Sequence, residues 1–80
     1  MNVVKIRLSS VNDVKDFVSA VSFCSCEPDI EADRYIIDAK SIMGIFSLDL
    51  SKPLMLKINS TDENEIADVL GKIERFIVSE

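Results

Sequence analysis

The chain has 80 residues, 48% of them hydrophobic, and a formal net charge of −5. This size predicts a single domain over residues 1–80 with a small continuous core. The acidic balance disfavours nucleic acid and anionic membrane surfaces, because both bind clusters of Lys and Arg. No apolar run reaches the ~20 residues that span a bilayer, and the first residues alternate apolar and charged types too early for a secretory signal. We therefore expect a soluble cytoplasmic protein with no nucleic-acid or membrane partner.

The start of the chain predicts a strand followed by a helix. Apolar and charged residues alternate over residues 2–8, as in a half-buried strand. Ser10 and Asp13 then fit a capping box, in which the hydroxyl accepts an amide hydrogen bond and the carboxylate reaches back. The helix that they open carries apolar residues at steps of three and four, and it should end near Cys24.

The middle of the chain predicts three short elements and a clearer strand. Residues 29–33 and 35–39 are expected to form two strands joined by a tight turn at Asp33-Arg34. Ser41 is expected to open a helix of about two turns. The alternation over residues 54–58 predicts a fourth strand, with its leucines and isoleucine facing inward.

The last element is predicted to be a helix whose one apolar stripe consists of Ile66, Val69, Leu70, Ile73 and Ile77. Residues 60–63, Ser-Thr-Asp-Glu, fit a second capping box. Gly71 lies within the stripe, where it could allow a neighbouring element to approach. The element order is βαββαβα, and each strand has one apolar and one polar face. The pattern therefore indicates an open-faced α/β sandwich with helices on one side of the sheet.

Cys24 and Cys26 are the two cysteines. Two thiols one residue apart are expected to make a poor disulfide, so a buried or half-buried reduced pair is the main expectation. Metal binding or redox work remains the alternative. A zinc site would need two further ligands, and a chain without histidine could supply them only from carboxylates.

The segment from Lys40 to Leu48, Lys-Ser-Ile-Met-Gly-Ile-Phe-Ser-Leu, resembles the regulatory-serine segment of HPr, the phosphocarrier of the bacterial sugar phosphotransferase system. The element order is also that of HPr over essentially the whole chain. The resemblance implies an α+β open-faced sandwich with a four-stranded antiparallel sheet and three helices on one face.

The chain departs from HPr at the position that carries phosphate, because it contains no histidine. HPr proteins have Gly-Leu-His-Ala-Arg-Pro-Ala between the first strand and helix. An ungapped alignment through Phe17-Val18 places Ser10 at the phospho-histidine, Asn12 at its supporting arginine and Asp13 at the proline. A serine without a nearby base is a weak nucleophile, and its phosphate ester does not transfer onward. We therefore expect no catalytic residue and no enzyme, and a protein similar to histidine-lacking members such as Crh.

Ser41 has two compatible interpretations. It can cap a helix, and by resemblance it can be a regulatory phosphorylation site. Its neighbours Lys40, Ile42, Met43 and Phe46 are predicted to bind a protein partner, since exposed apolar residues beside such a serine favour an interface. The alternative is that Phe46 folds back into the core.

These observations predict a non-catalytic, HPr-like phosphoprotein related to the sugar phosphotransferase system and to carbon catabolite regulation. Its implied partners are an HPr-type serine kinase and a transcription regulator or metabolic enzyme, and no cofactor or metal is expected. A constitutive interaction module and a residual phosphocarrier are the alternative functions.

Overall fold

The computed structural model describes residues 2–78, and its elements follow the predicted order βαββαβα. Three helices and four strands are followed by a single 3₁₀ turn. Their bounds are β1 Asn2–Ile6, α1 Val11–Val21, β2 Asp29–Ala32, β3 Tyr35–Asp38, α2 Ile42–Phe46, β4 Leu54–Ile58, α3 Glu63–Lys72 and the 3₁₀ turn Glu74–Phe76.

The four strands form one antiparallel sheet in the order β1-β4-β2-β3. Ile6 pairs with Leu54 across β1 and β4, and Ile30 pairs with Leu56 across β2 and β4. The tight turn between β2 and β3 lies where it was predicted. Its Asp33 has a φ of 54°, a left-handed conformation that Asp tolerates better than most residues. The prediction of an open-faced antiparallel sandwich is confirmed.

The helices cover one face of the sheet and enclose a small apolar core. The aromatic rings of Phe17 and Phe76 meet edge to face there, with centroids 5.9 Å apart. Within residues 3–78 no polar or charged side chain is buried. The core comprises the following residues: Ile6, Leu8, Val14, Phe17, Val21, Cys24, Cys26, Ile30, Ala39, Ile45, Leu54, Leu56, Ile58, Ile66, Val69, Ile73 and Phe76.

Helix α3 begins slightly later than the capping pattern predicted. Asp62 is its N-cap, because the Asp62 carboxylate accepts hydrogen bonds from the amides of Asn64 and Glu65 at 2.9 and 3.4 Å. The Ser60 hydroxyl instead accepts from the Asp62 amide at 3.1 Å, one turn before the helix. A carboxylate also suits the positive end of the helix better than a hydroxyl does.

Gly71 does not serve the role that was expected of it. A Cβ atom placed there would meet no atom within 4 Å. The residue is exposed near the end of α3, whereas Ile66, Val69 and Ile73 carry the buried stripe. The prediction that Gly71 admits a neighbouring element is therefore wrong.

The segment after α3 lies against the outer edge of β1. The Arg7 amide donates to the Phe76 carbonyl at 2.8 Å, and the Val78 amide donates to the Lys5 carbonyl at 2.9 Å. Ile77 forms an antiparallel bridge with Ile6 between these bonds. The sequence pattern predicted helix for this region up to Ile77, and the chain instead leaves the helix at Lys72.

Cys24 and Cys26 form a disulfide, so the expectation of a reduced pair is wrong. The chain turns sharply after α1 and brings their Cα atoms to 5.3 Å, within the range that a disulfide spans. The expectation of burial is confirmed, since the two residues are only 8% and 7% exposed.

Candidate functional site

Ser41 is the N-cap of α2, as predicted. Its backbone is extended, with φ −92° and ψ 100°, and its Oγ accepts a hydrogen bond from the Gly44 amide at 3.2 Å. The Ser41 carbonyl accepts from the Ile45 amide at 3.0 Å, and the Ser41 amide donates to the Asp38 carbonyl at 3.0 Å. The residue is half-buried, with its backbone fixed on both sides.

Gly44 leaves space beside the Ser41 hydroxyl. A Cβ atom at position 44 would lie 3.1 Å from Ser41 Oγ and 3.5 Å from Ile37 Cδ1. The first of these distances is closer than side chains normally approach. Gly44 therefore permits the short contact between its own amide and the serine, and it keeps the surroundings of the hydroxyl open.

The side chain of Lys40, next to Ser41 in the sequence, contacts the chain just after α1. Its Nζ donates a hydrogen bond to the Cys24 carbonyl at 2.7 Å, and its amide donates to Asp38 Oδ1 at 2.9 Å. An ammonium group has three donors, so two remain for other acceptors. The residues next to Ser41 thus include the Lys40 ammonium, one of whose donors is already hydrogen-bonded, and the Asp38 carboxylate.

The three apolar residues predicted to surround Ser41 differ in exposure. Met43 is 76% exposed and Phe46 is 38% exposed, so Phe46 does not join the buried core. Ile42 is half-buried and packs against the core instead of standing free. Ile45, three residues after Ile42, is completely buried. The accessible apolar surface of α2 is therefore formed mainly by Met43 and Phe46.

Ser10, which the sequence resemblance aligns with the HPr phospho-histidine, is an N-cap. Its hydroxyl accepts a hydrogen bond from the Asp13 amide at 3.1 Å. The Asp13 carboxylate reaches back to Ser9, accepting from its amide at 3.0 Å and from its hydroxyl at 2.9 Å. These hydrogen bonds from the Ser9 amide and hydroxyl, followed by the charge of Arg75, hold the pKa of Asp13 below its usual range. A carboxylate with a lowered pKa is a weak base, so it activates the Ser10 hydroxyl poorly.

Arg75 is the cation beside this helix start. Its guanidinium bridges Asp13 at 3.5 Å and Asp16 at 2.6 Å, and it also lies over the Phe76 ring. Its charge is thus matched by two carboxylates of α1. An incoming phosphate would compete with both of them.

Other apolar side chains, which the sequence pattern did not predict to be exposed, also lie on the surface. Phe23, just after α1, is 79% exposed and lies 5.2 Å from the Lys72 ammonium. Tyr35 and Ile36 on β3 are 66% and 65% exposed. Phe23 lies outside the predicted apolar stripe of the first helix, and this position could have indicated that its ring is exposed. The sequence did not indicate that Tyr35 and Ile36 are exposed, because apolar residues in a strand are usually predicted to be buried.

A search of solved structures finds a related fold. The crystal structure of HPr-C-His from Thermoanaerobacter tengcongensis matches with a TM-score of 0.72 and 29% sequence identity, and the match covers 92% of each chain. The fold is HPr-like. This similarity suggests a protein related to the phosphotransferase system, and the HPr-like fold is that of a phosphocarrier rather than of a catalytic enzyme.

Other comparisons add nothing to this result. No model of a known protein family matches the chain. No curated protein matches it. Among residues 2–78, no helix has both the length and the apolar character needed to cross a membrane.

Proposed function

We propose that the protein is a cytoplasmic, HPr-like regulatory protein without histidine, that it is phosphorylated at Ser41 and that it acts by binding another protein. The observation that carries the proposal is the Ser41 motif on an HPr-like fold, in a chain without histidine. Phosphorylation would be carried out by an HPr-type serine kinase. The partner would be a transcription regulator or a metabolic enzyme.

The geometry of Ser41 supports its modification. The Ser41 Oγ accepts a hydrogen bond from the Gly44 amide through one of its lone pairs. A phosphoryl group added to this oxygen replaces only the hydroxyl proton. Phosphorylation is therefore compatible with the existing cap. Gly44 leaves room beside the oxygen, and the first amides of α2 lack intrahelical acceptors. The Asp38 carboxylate opposes the added charge, and the remaining donors of Lys40 favour it.

The exposed surface of α2 supports partner binding. Met43 and Phe46 offer a flexible thioether and an aromatic ring, two groups that are frequent at protein interfaces. They lie within the same short helix that Ser41 caps, so a phosphate on Ser41 adds negative charge at the edge of their surface. Lys40 and the accessible part of Ile42 complete the proposed contact.

Incubation with an HPr-type serine kinase and ATP, followed by mass spectrometry, tests the modification. We expect one added phosphate, located at Ser41 by peptide sequencing, and none in Ser41→Ala. Ser47→Ala is the matched control, since Ser47 is the exposed C-cap of the same helix. Wild-type protein that remains unphosphorylated with active kinase would contradict the proposal.

A constitutive interaction module is the second candidate, favoured because capping alone explains the Ser41 hydroxyl. Both candidates predict that Met43→Glu abolishes partner binding, whereas Ile36→Glu, the same change at a similarly exposed residue of β3, leaves it intact. They differ at Ser41. A change in partner affinity in Ser41→Asp supports the regulatory function, and unchanged affinity supports the constitutive module.

A further inference from the structure

The end of α1 brings two sulfur atoms next to a carboxylate from α3. The Sγ atoms of Cys24 and Cys26 and a carboxylate oxygen of Glu65 all lie within 4.8 Å of one another. Glu65 is separated from the cysteines by about forty residues of chain, so the tertiary fold assembles the cluster. We propose that, once the disulfide is reduced, these three side chains bind one thiophilic divalent cation such as Zn²⁺.

The donor set suits zinc. Thiolate and carboxylate are both ligand types that zinc takes, at about 2.3 Å for sulfur and about 2.0–2.2 Å for oxygen. In a tetrahedral site those bonds place the ligand atoms roughly 3.5–3.8 Å apart. The Glu65 oxygen already lies within 4.8 Å of both sulfurs, and the two sulfurs separate to this spacing once the S–S bond is reduced.

Neighbouring groups hold the ligands in place. The Ser25 hydroxyl donates a hydrogen bond to Glu65, which orients the carboxylate toward the cysteine turn. The Cys26 amide donates to Cys24 Sγ at 3.2 Å. Hydrogen bonds of this kind orient the ligands of protein metal sites.

The site has an open side for a fourth ligand. A surface depression lies directly beside the cluster, and its lining consists of Ser25, Cys26, Asn59, Ser60, Thr61 and Glu65. Water can therefore reach an ion held by the two sulfurs and the carboxylate. Three protein ligands and one water is an arrangement that zinc adopts in proteins.

Reduction opens the site. The S–S bond accepts two electrons and two protons from two molecules of a small thiol, which leave as one small-molecule disulfide. The resulting Cys24 and Cys26 thiols release two protons as they bind the cation. Oxidation reverses both steps and expels the ion, so cation binding would report the redox state of the compartment. This inference is independent of phosphorylation at Ser41.

Cobalt titration tests the proposal, because Co²⁺ bound by thiolates has sulfur-to-metal charge-transfer absorption and tetrahedral d–d bands. The wild-type protein is reduced with a phosphine, which becomes the phosphine oxide by taking oxygen from water, and is desalted without oxygen. We expect one Co²⁺ per chain, displaced by Zn²⁺. The oxidised protein should show no charge-transfer band.

Variants assign the ligands. Cys24→Ser and Cys26→Ser should each weaken binding by more than about 100-fold, beyond the effect typical of outer-shell groups. Glu65→Gln should weaken it by about tenfold or more. Glu63→Gln, which alters an exposed carboxylate in the same turn of α3, should bind like the wild type.

Two results would overturn the proposal. One is the absence of stoichiometric Co²⁺ binding by the reduced protein, and the other is equal affinity in Glu65→Gln and Glu63→Gln. Circular dichroism checks the fold of each variant. If the serine variants do not fold, the comparison of oxidised with reduced wild type and the two glutamine variants still decides the question.

Discussion

The two glycines of this chain lie in helices, but alanine should have opposite consequences at them. Alanine stabilises a helix interior by about 1 kcal/mol relative to glycine. At Gly71 nothing lies within 4 Å of the new methyl group, so Gly71→Ala should gain most of that amount. In a domain of this size the gain raises Tm by about 4–8 °C.

At Gly44 the stabilisation that alanine brings to the helix is offset by a close contact with Ser41. The new Cβ would lie 3.1 Å from Ser41 Oγ, so the hydroxyl must shift by a few tenths of an ångström, and we expect this shift to weaken its 3.2 Å bond to the residue 44 amide. Loss of an N-cap costs about 1 kcal/mol. Gly44→Ala should therefore leave the free energy of unfolding near that of the wild type, or slightly below it.

Removing the hydroxyl isolates this effect. Ser41→Ala should destabilise the protein by about 1 kcal/mol, and in that background Gly44→Ala should recover about 1 kcal/mol. Urea denaturation of the four members of this cycle, with Gly71→Ala as the control, measures the coupling. The reasoning is refuted if Gly44→Ala stabilises the wild type as much as Gly71→Ala does.

Three further predictions concern the disulfide, the start of α1 and the core. Reduction of Cys24–Cys26 should lower the free energy of unfolding by at most about 2 kcal/mol, because the closed loop is very short; denaturation with and without a phosphine measures this. Asp13 has a lowered pKa in the folded protein, so the stability it adds is complete above its unfolded pKa of about 4 and is lost below that, as the pH falls through the lower pKa of the folded state; Asp13→Asn should flatten the acid limb of a Tm-against-pH curve. Phe17→Ala should cost about 3–5 kcal/mol, whereas Phe23→Ala, at an exposed ring, should cost less than about 1 kcal/mol.

Periodicity was sufficient to predict most of the fold. Alternation in the strands and three-to-four spacing in the helices are local signals, and the buried residues Ile6, Leu56 and Ile66 follow them. The end of α3 was not predictable in this way. The apolar stripe continues through Ile73 to Ile77, yet backbone pairing with β1 draws the last part out of the helix.

The site was partly predictable for a related reason. The capping role of Ser41 depends on residues within one turn, so the sequence contains it. The half-burial of Ile42 and the contact of Glu65 with the cysteines depend on tertiary packing. The disulfide was missed because spacing in sequence does not specify how sharply a chain turns.

The pairing of residues 76–78 with β1 makes the two sides of the sheet unequal. At one edge, backbone groups of residues 5–7 already pair with the protein's own chain. Along residues 2–78 no strand lies beyond β3, where Tyr35 and Ile36 are exposed. A strand from another molecule that extends the sheet would therefore meet a less obstructed edge at β3 than at residues 5–7 of the opposite edge.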